Sequence, residues 1–332
     1  MAIHEFDENM KTDDYFVGGE YKYLVEGNNC RLLDGRRTTG FIESYFEDSA
    51  MFRWRITKYE DSGKYWDLPI ESIERFQFEM DSKVLDSKSI DRMKSKSEQF
   101  SKILDIEVDD KVLKETESEI EQLSWDIEQW LELHSEFIQD GRKLKLNSKR
   151  GNELLWQDLK TYMNTVNLGE IEKITAEAMV LNPESGEWIK GMQIVLAELG
   201  LAMYNGKVTR TKDVFDGLGD KENRRRYIIH RMAFMRAYFR MKNISEVKLY
   251  RGMSTENHWL EKKRTFLHGS FSLEVGEAFS AFDRESKYKN SYLMMLTIPV
   301  EKLFMTYLET EAMNSQYEEA EALVLYDKKL YI

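Results

Sequence analysis

The hydrophobic period changes twice along this chain, and that succession limits what it can fold into. Up to about residue 80, apolar and polar residues alternate, as in Tyr21-Lys22-Tyr23-Leu24-Val25 and Met51-Phe52-Arg53-Trp54-Arg55-Ile56. A period of two fits strands with one buried face. From 82 to about 246 the apolar residues fall at helical spacing. Ile120, Leu123, Ile127, Trp130, Leu131, His134 and Ile138 form one stripe, and Met192 to Ala202 reads as a buried helix that ends at Asn205-Gly206. From Val247 short strand-like runs return, notably Ser291 to Pro299 and Ala322 to Tyr326. The expected class is α+β.

Turn signals at Glu26-Gly27-Asn28-Asn29, Asp34-Gly35, Asp48-Ser49 and Asp61-Ser62-Gly63 cut the first segment into about five short strands. Residues 1–81 are therefore expected to form a small SH3-like β-barrel. Tyr45, Trp54, Tyr59, Tyr65 and Trp66 supply either its core or a ligand cage, and the barrel is expected to serve as a docking module. Residues 82–165 read as a helical spacer, with His134 as a satisfied core histidine.

With 332 residues and only 3 prolines, the chain has room for two or three domains and few rigid linkers. Its net charge of -12 argues against general adhesion to nucleic acid or to an anionic membrane. The lone Cys30 excludes an internal disulfide, and the five histidines show no metal-ligand spacing. No apolar run reaches the roughly 18 residues of a membrane span, and the acidic start Met1 to Glu8 does not read as a signal peptide. A soluble, cytoplasmic protein without membrane or metal partners is expected. Against the acidic background, Lys221, Arg224, Arg225, Arg226, His230, Arg231, Arg236, Arg240 and Lys242 crowd one helical stretch. They make either a solvated face or an electrostatic footprint for phosphate.

Three short signals fall in order along the last segment. Arg251-Gly252 closes the apolar run of Val247, Leu249 and Tyr250. Ser270-Phe271-Ser272 stands before the helix-like Leu273 to Phe279. Glu319-Ala320-Glu321 runs into the last strand. Together these resemble the Arg–Ser–Glu clade of NAD-dependent mono-ADP-ribosyltransferases. The resemblance covers roughly 166–332, which would be the catalytic domain, a mixed β-sheet core with preceding helices.

The resemblance implies a role for each position. Arg251 would grip a phosphate of NAD, a task suited to a guanidinium fork. Gly252 would hold the nicotinamide carboxamide through its backbone, the missing Cβ allowing close approach. Ser270 would orient the catalytic carboxylate, with Ser272 in support and Phe271 in place of the family's central threonine. Glu321 would bond the ribose and stabilise the positive charge that develops there. Glu319, two residues earlier and so on the same face of a strand, would activate an arginine acceptor. Phe279 or Phe282 would stack on nicotinamide, and Tyr317 in the recognition turn Glu311 to Glu318 would contact the acceptor.

The expected activity is transfer of ADP-ribose from NAD, as substrate, to a macromolecule, with protein arginine favoured by Glu319. ADP-ribosylation of RNA or DNA is the alternative, favoured by the arginine-rich helix. An inert transferase-like binding protein and a plain NAD glycohydrolase are the other readings. By family analogy such an enzyme is a toxin or effector from a toxin–antitoxin, phage or defence system. An antitoxin or docking partner would then engage the N-terminal barrel.

Overall fold

A computed structural model of the chain describes residues 29–32, 39–46, 49–56, 65–69, 76–78, 95, 98–99, 101–141, 143–146, 152–181, 186–210, 212–255, 264–281, 290–315 and 318–326. It divides into two compact units, Met1–Ile103 with Lys207–Thr211 and Leu104–Gly206 with Lys212–Ile332. The protein is of the α+β class. Among the described residues no helix is long and apolar enough to cross a membrane.

In the first unit, β1 (Asn29–Leu32), β2 (Thr39–Phe46), β3 (Met51–Ile56), β4 (Tyr65–Pro69) and β5 (Phe76–Phe78) form an antiparallel sheet in the order β4-β3-β2-β1-β5. Ala50, left-handed at φ 51°, turns β2 into β3, and Phe52 is fully buried behind it. Arg53 and Asp67 face each other on β3 and β4, with a bidentate pair at 2.7 and 2.9 Å. At this exposure such a pair contributes about 1 kcal/mol or less. Among the described residues no pairing joins β4 to β5, so the expected barrel over 1–81 is instead five strands without closure. The side chains of Tyr45, Trp54, Tyr65 and Trp66, and all of Tyr59, lie outside the described residues.

The second unit opens with β6 (Ile103–Ile106), then α1 (Asp110–His134), capped where Asp109 accepts from the amides of Lys111 and Val112 at 2.9 and 3.1 Å. The predicted stripe points inward through Ile120, Ile127 and Leu131, which are buried. His134 departs from expectation: it lies exposed in the last turn, its ring 5.1 Å from Trp130. Short α2 (Glu136–Gln139), α3 (Glu153–Thr165), α4 (Gly169–Leu181) and α5 (Glu187–Glu198) follow. Gly200 at φ 70° ends α5, with the amides of Gly200 and Leu201 bonded back to Ala197 and Leu196. That places the stop before Asn205-Gly206, which sits in β7 (Tyr204–Lys207) and pairs with β6. The expected spacer over 82–165 is no separate piece. Residues from α1 through α3 share one hydrophobic core with the later helices and sheet, because Ile127, Leu159 and Phe304 belong to the same buried cluster.

The central helix is α6 (Lys221–Met241), and it is buried on most sides. Its arginines divide: Arg224, Arg231 and Arg236 are buried, Arg225, Arg226 and Arg240 are half-exposed, and each has a partner within the chain. Arg224 stacks 4.0 Å from Trp188 and donates to the carbonyls of Gly219, Trp188 and Val214. Arg225, Arg236 and Arg240 pair with α1 carboxylates, respectively Glu119, Glu117, and both Glu121 and Glu128. Arg226 donates to the Val166 carbonyl at 3.2 Å.

Arg231 lies in the interior, fully buried. Its Nη2 sits 2.5 Å from Glu309 Oε1 and 2.5 Å from Thr310 Oγ1, and its Nε is 3.4 Å from Glu172. Glu309 also accepts from the Thr306 amide and hydroxyl and from Tyr238. Burial pushes the Glu172 carboxyl up toward its neutral form, against the pull of Arg231. Of the two carboxylates that face Arg231, Glu309 makes the direct hydrogen bond, which assigns it as the principal counter-charge that a low-dielectric site demands.

The remaining strands, β8 (Glu246–Thr255), β9 (Phe266–Ser270), β10 (Asn290–Pro299), β11 (Leu303–Thr306) and β12 (Glu321–Leu325), make a second antiparallel sheet in the order β10-β8-β9-β12-β11. Helix α7 (Leu273–Ala281) packs on β8, and the single-turn α8 (Ala312–Ser315) precedes β12.

The buried charges yield a paired expectation. Glu309→Gln, which strands Arg231, should lower the unfolding free energy by about 3–5 kcal/mol. Glu172→Gln, which keeps a neutral acceptor for Tyr227, should lower it by about 1 kcal/mol or less. Urea denaturation followed by tryptophan fluorescence measures both, and equal losses would refute the charge assignment.

Candidate active site

β8 pairs with β10 over its whole length, from Thr255↔Asn290 to Glu246↔Pro299, yet it meets β9 only at Tyr250↔Ser270. Beyond that pair the ladder between β8 and β9 stops, and a cleft of about 280 Å³ opens. It is lined by Arg251 and Gly252 from β8, His268 and Ser270 from β9, Gly276 and Phe279 from α7, Glu319 just before β12 and Glu321 at its first residue.

The neighbouring seam explains why distant residues meet. Ser270 is paired with Tyr250 on one side and with Glu321 on the other, so one cross-strand row brings β8, β9 and β12 together. Arg251 reaches across the gap and donates from Nη1 to the His268 carbonyl at 2.5 Å. The predicted Arg251, Ser270 and Glu321 therefore do share one cleft, and Glu319, Gly252 and Phe279 line it with them. Phe279 is 46% exposed, leaving its ring face accessible. Tyr317 and Phe282 lie outside the described residues.

Three details differ from expectation. Ser270 does not touch the Glu321 carboxylate. Its hydroxyl donates to the Glu319 backbone carbonyl at 2.6 Å and accepts from the Ser272 amide at 2.9 Å, bracing the backbone around the site. Ser272 is buried just before α7 and its hydroxyl faces the Val275 amide at 3.5 Å, a helix-start position rather than a cleft-lining one. Glu319 precedes the strand, so the same-face rule for i and i+2 does not apply to it. Glu318 and Ala320 on either side take left-handed φ values of 51° and 48°, and this turn is what aims Glu319 into the cleft. Such conformations cost a non-glycine residue about 1 kcal/mol or more each. Asn314 holds them, accepting the Glu318 amide on its carbonyl at 3.3 Å and the Ala320 amide on its side chain at 3.0 Å.

Sequence reasoning missed His268. Its Nδ1 lies 2.6 Å from Glu321 Oε1, the contact expected of Ser270. The available signal was its position two residues before Ser270 on the same strand, hence on the same face. Electrostatically, Glu319 is pushed above the ordinary glutamate range, first by burial and then by the neighbouring charge of Glu321, with His268 pulling the other way.

Gly252 is required for packing. A Cβ built there would stand 1.9 Å from the Gly276 carbonyl oxygen and 2.5 Å from the Ser280 amide nitrogen, so β8 and α7 touch backbone to backbone. Comparison of the chain with protein-family models, curated proteins and solved structures finds no match in any of the three.

Because the obstruction is main-chain atoms, Gly252→Ala must lift α7 off β8. A loss of about 1–3 kcal/mol in urea denaturation is expected. A variant as stable as wild type would contradict that close crossing.

Proposed function

We propose that the protein is an NAD-dependent mono-ADP-ribosyltransferase acting on a guanidinium of a protein acceptor. The observation that carries this proposal is the convergence of Arg251, Ser270, Glu319 and Glu321 on one cleft. A cleft of about 280 Å³ lies at the small end of ligand pockets, roughly 300–1,000 Å³. It suits the nicotinamide-ribose end of a dinucleotide, where the reaction occurs.

Each group then has a task. Arg251 neutralises a phosphate and fixes the dinucleotide's orientation, which removes much of the entropic barrier. Phe279 offers a ring for the nicotinamide. The bond to be cut joins ribose to a cationic base that leaves neutral, so no acid is needed. A carboxylate is needed where positive charge grows, and Glu321 is positioned for that work. Glu319, with its raised carboxyl, is the better proton acceptor and takes a proton from the incoming guanidinium. A nucleic-acid acceptor loses its main support once the arginines of α6 are found engaged with Glu117, Glu119, Glu121 and Glu128.

Labelled NAD with a cell extract tests the acceptor: label should survive nuclease and be released by protease, and the reverse would select RNA or DNA. Glu321→Gln should abolish nicotinamide release, whereas Glu319→Gln should reduce transfer far more than hydrolysis. Equal loss in both reactions would remove the separate roles. The pH dependence has a definite sign. Glu319 must be ionised to accept a proton, and its carboxyl is held up, so transfer should fall on acidification at a higher pH than hydrolysis does. Superimposable acid limbs would exclude Glu319 as the base.

A further inference from the structure

We infer that His268 is a positioning residue for the reaction, its imidazole fixing the Glu321 carboxylate in the plane that faces the substrate ribose; this rests on the transferase proposal above. Three observations carry it. His268 Nδ1 stands 2.6 Å from Glu321 Oε1, within hydrogen-bonding distance. The Ser270 hydroxyl donates instead to the Glu319 carbonyl, so the carboxylate's orientation falls to the imidazole. The strand register makes the contact a diagonal one, because Glu321 is paired with Ser270 and Leu323 with His268, and β9 and β12 hold that spacing rigidly.

The chemistry follows from geometry. A carboxylate at the first residue of a strand, 23% exposed in its side chain, has rotamers to choose among. Engaging Oε1 removes that freedom and leaves Oε2 as the oxygen a ribose hydroxyl meets. The same peptide serves both ends of the cleft, since the His268 carbonyl accepts from Arg251. Replacing the side chain leaves that carbonyl in place, so phosphate binding and carboxylate orientation separate experimentally.

The test uses the full chain and measures nicotinamide release from NAD. His268→Ala should lower kcat on the order of 10–100-fold, the usual range for losing the partner that orients a reacting group. KM for NAD should stay within about twofold, because the Arg251 contact is to backbone. His268→Asn, whose amide can donate from the place of Nδ1, should recover most of the rate. Ring nitrogen NMR adds a readout independent of turnover: the His268 Nδ1 signal should shift in Glu321→Gln. A wild-type protein that releases no nicotinamide overturns the transferase proposal and this inference together. An active wild type with an unimpaired His268→Ala overturns this inference alone. So does a His268→Asn as slow as His268→Ala, or a ring signal indifferent to Glu321→Gln.

Discussion

The ion pair between Arg231 and Glu309, both fully enclosed, fixes the second unit. A lone guanidinium in that core would be prohibitive, and so would a lone carboxylate. Each therefore dictates where the other's element must run. Arg231 is on the central helix, and Glu309 sits in the turn that follows β11, where it also ties Thr306 and Tyr238. Trp156 from α3 adds a hydrogen bond to the Tyr307 carbonyl at 3.1 Å, and Tyr307 in turn bonds the Leu146 carbonyl at 3.0 Å. The segment thus anchored leads directly into α8 and then into the glutamates of the cleft. Stability and the geometry of the cleft are consequently coupled through one turn of chain, although Glu309 itself does not line the cleft.

Downstream of that anchor, strain is stored where the chemistry is expected. Two left-handed non-glycine residues flank Glu319, and Asn314 supplies the bonds that keep them so. The geometry brings two carboxylates into one small cleft, where burial first and the neighbouring Glu321 second raise the Glu319 carboxyl. Placing like charges side by side is unfavourable for folding and useful for proton transfer, a trade common at functional sites.

How much of this could be read from the chain depends on range. The helix stripe of Ile120, Ile127 and Leu131 and the alternation in Met51 to Ile56 are local patterns, and both elements form as written. The ordered trio of Arg251, Ser270 and Glu321 was visible because each adjoins a strand-like apolar run; Ser270 and Glu321 do stand at strand ends, whereas Arg251 falls inside β8, which runs on to Thr255. The arginines of α6 misled because charge alone does not say whether a side chain faces water. Three of them, Arg225, Arg236 and Arg240, find partners on α1, more than a hundred residues earlier in the chain. His268 was equally hidden, since a histidine becomes meaningful only once the register sets Glu321 beside it. Helices α1 to α3 passed for a spacer because their apolar faces match those of any amphipathic helix. Only packing reveals that they complete the same core.

The break between β8 and β9 also determines how the sheet can respond to load. With one residue pair bridging it, the sheet is two plates, β10-β8 and β9-β12-β11, joined at a pivot near Tyr250 and Ser270. Rotation about such a pivot changes the width of the mouth without sliding any strand past its neighbour. The spacing among His268, Ser270 and Glu321, all carried by one plate, is independent of that aperture.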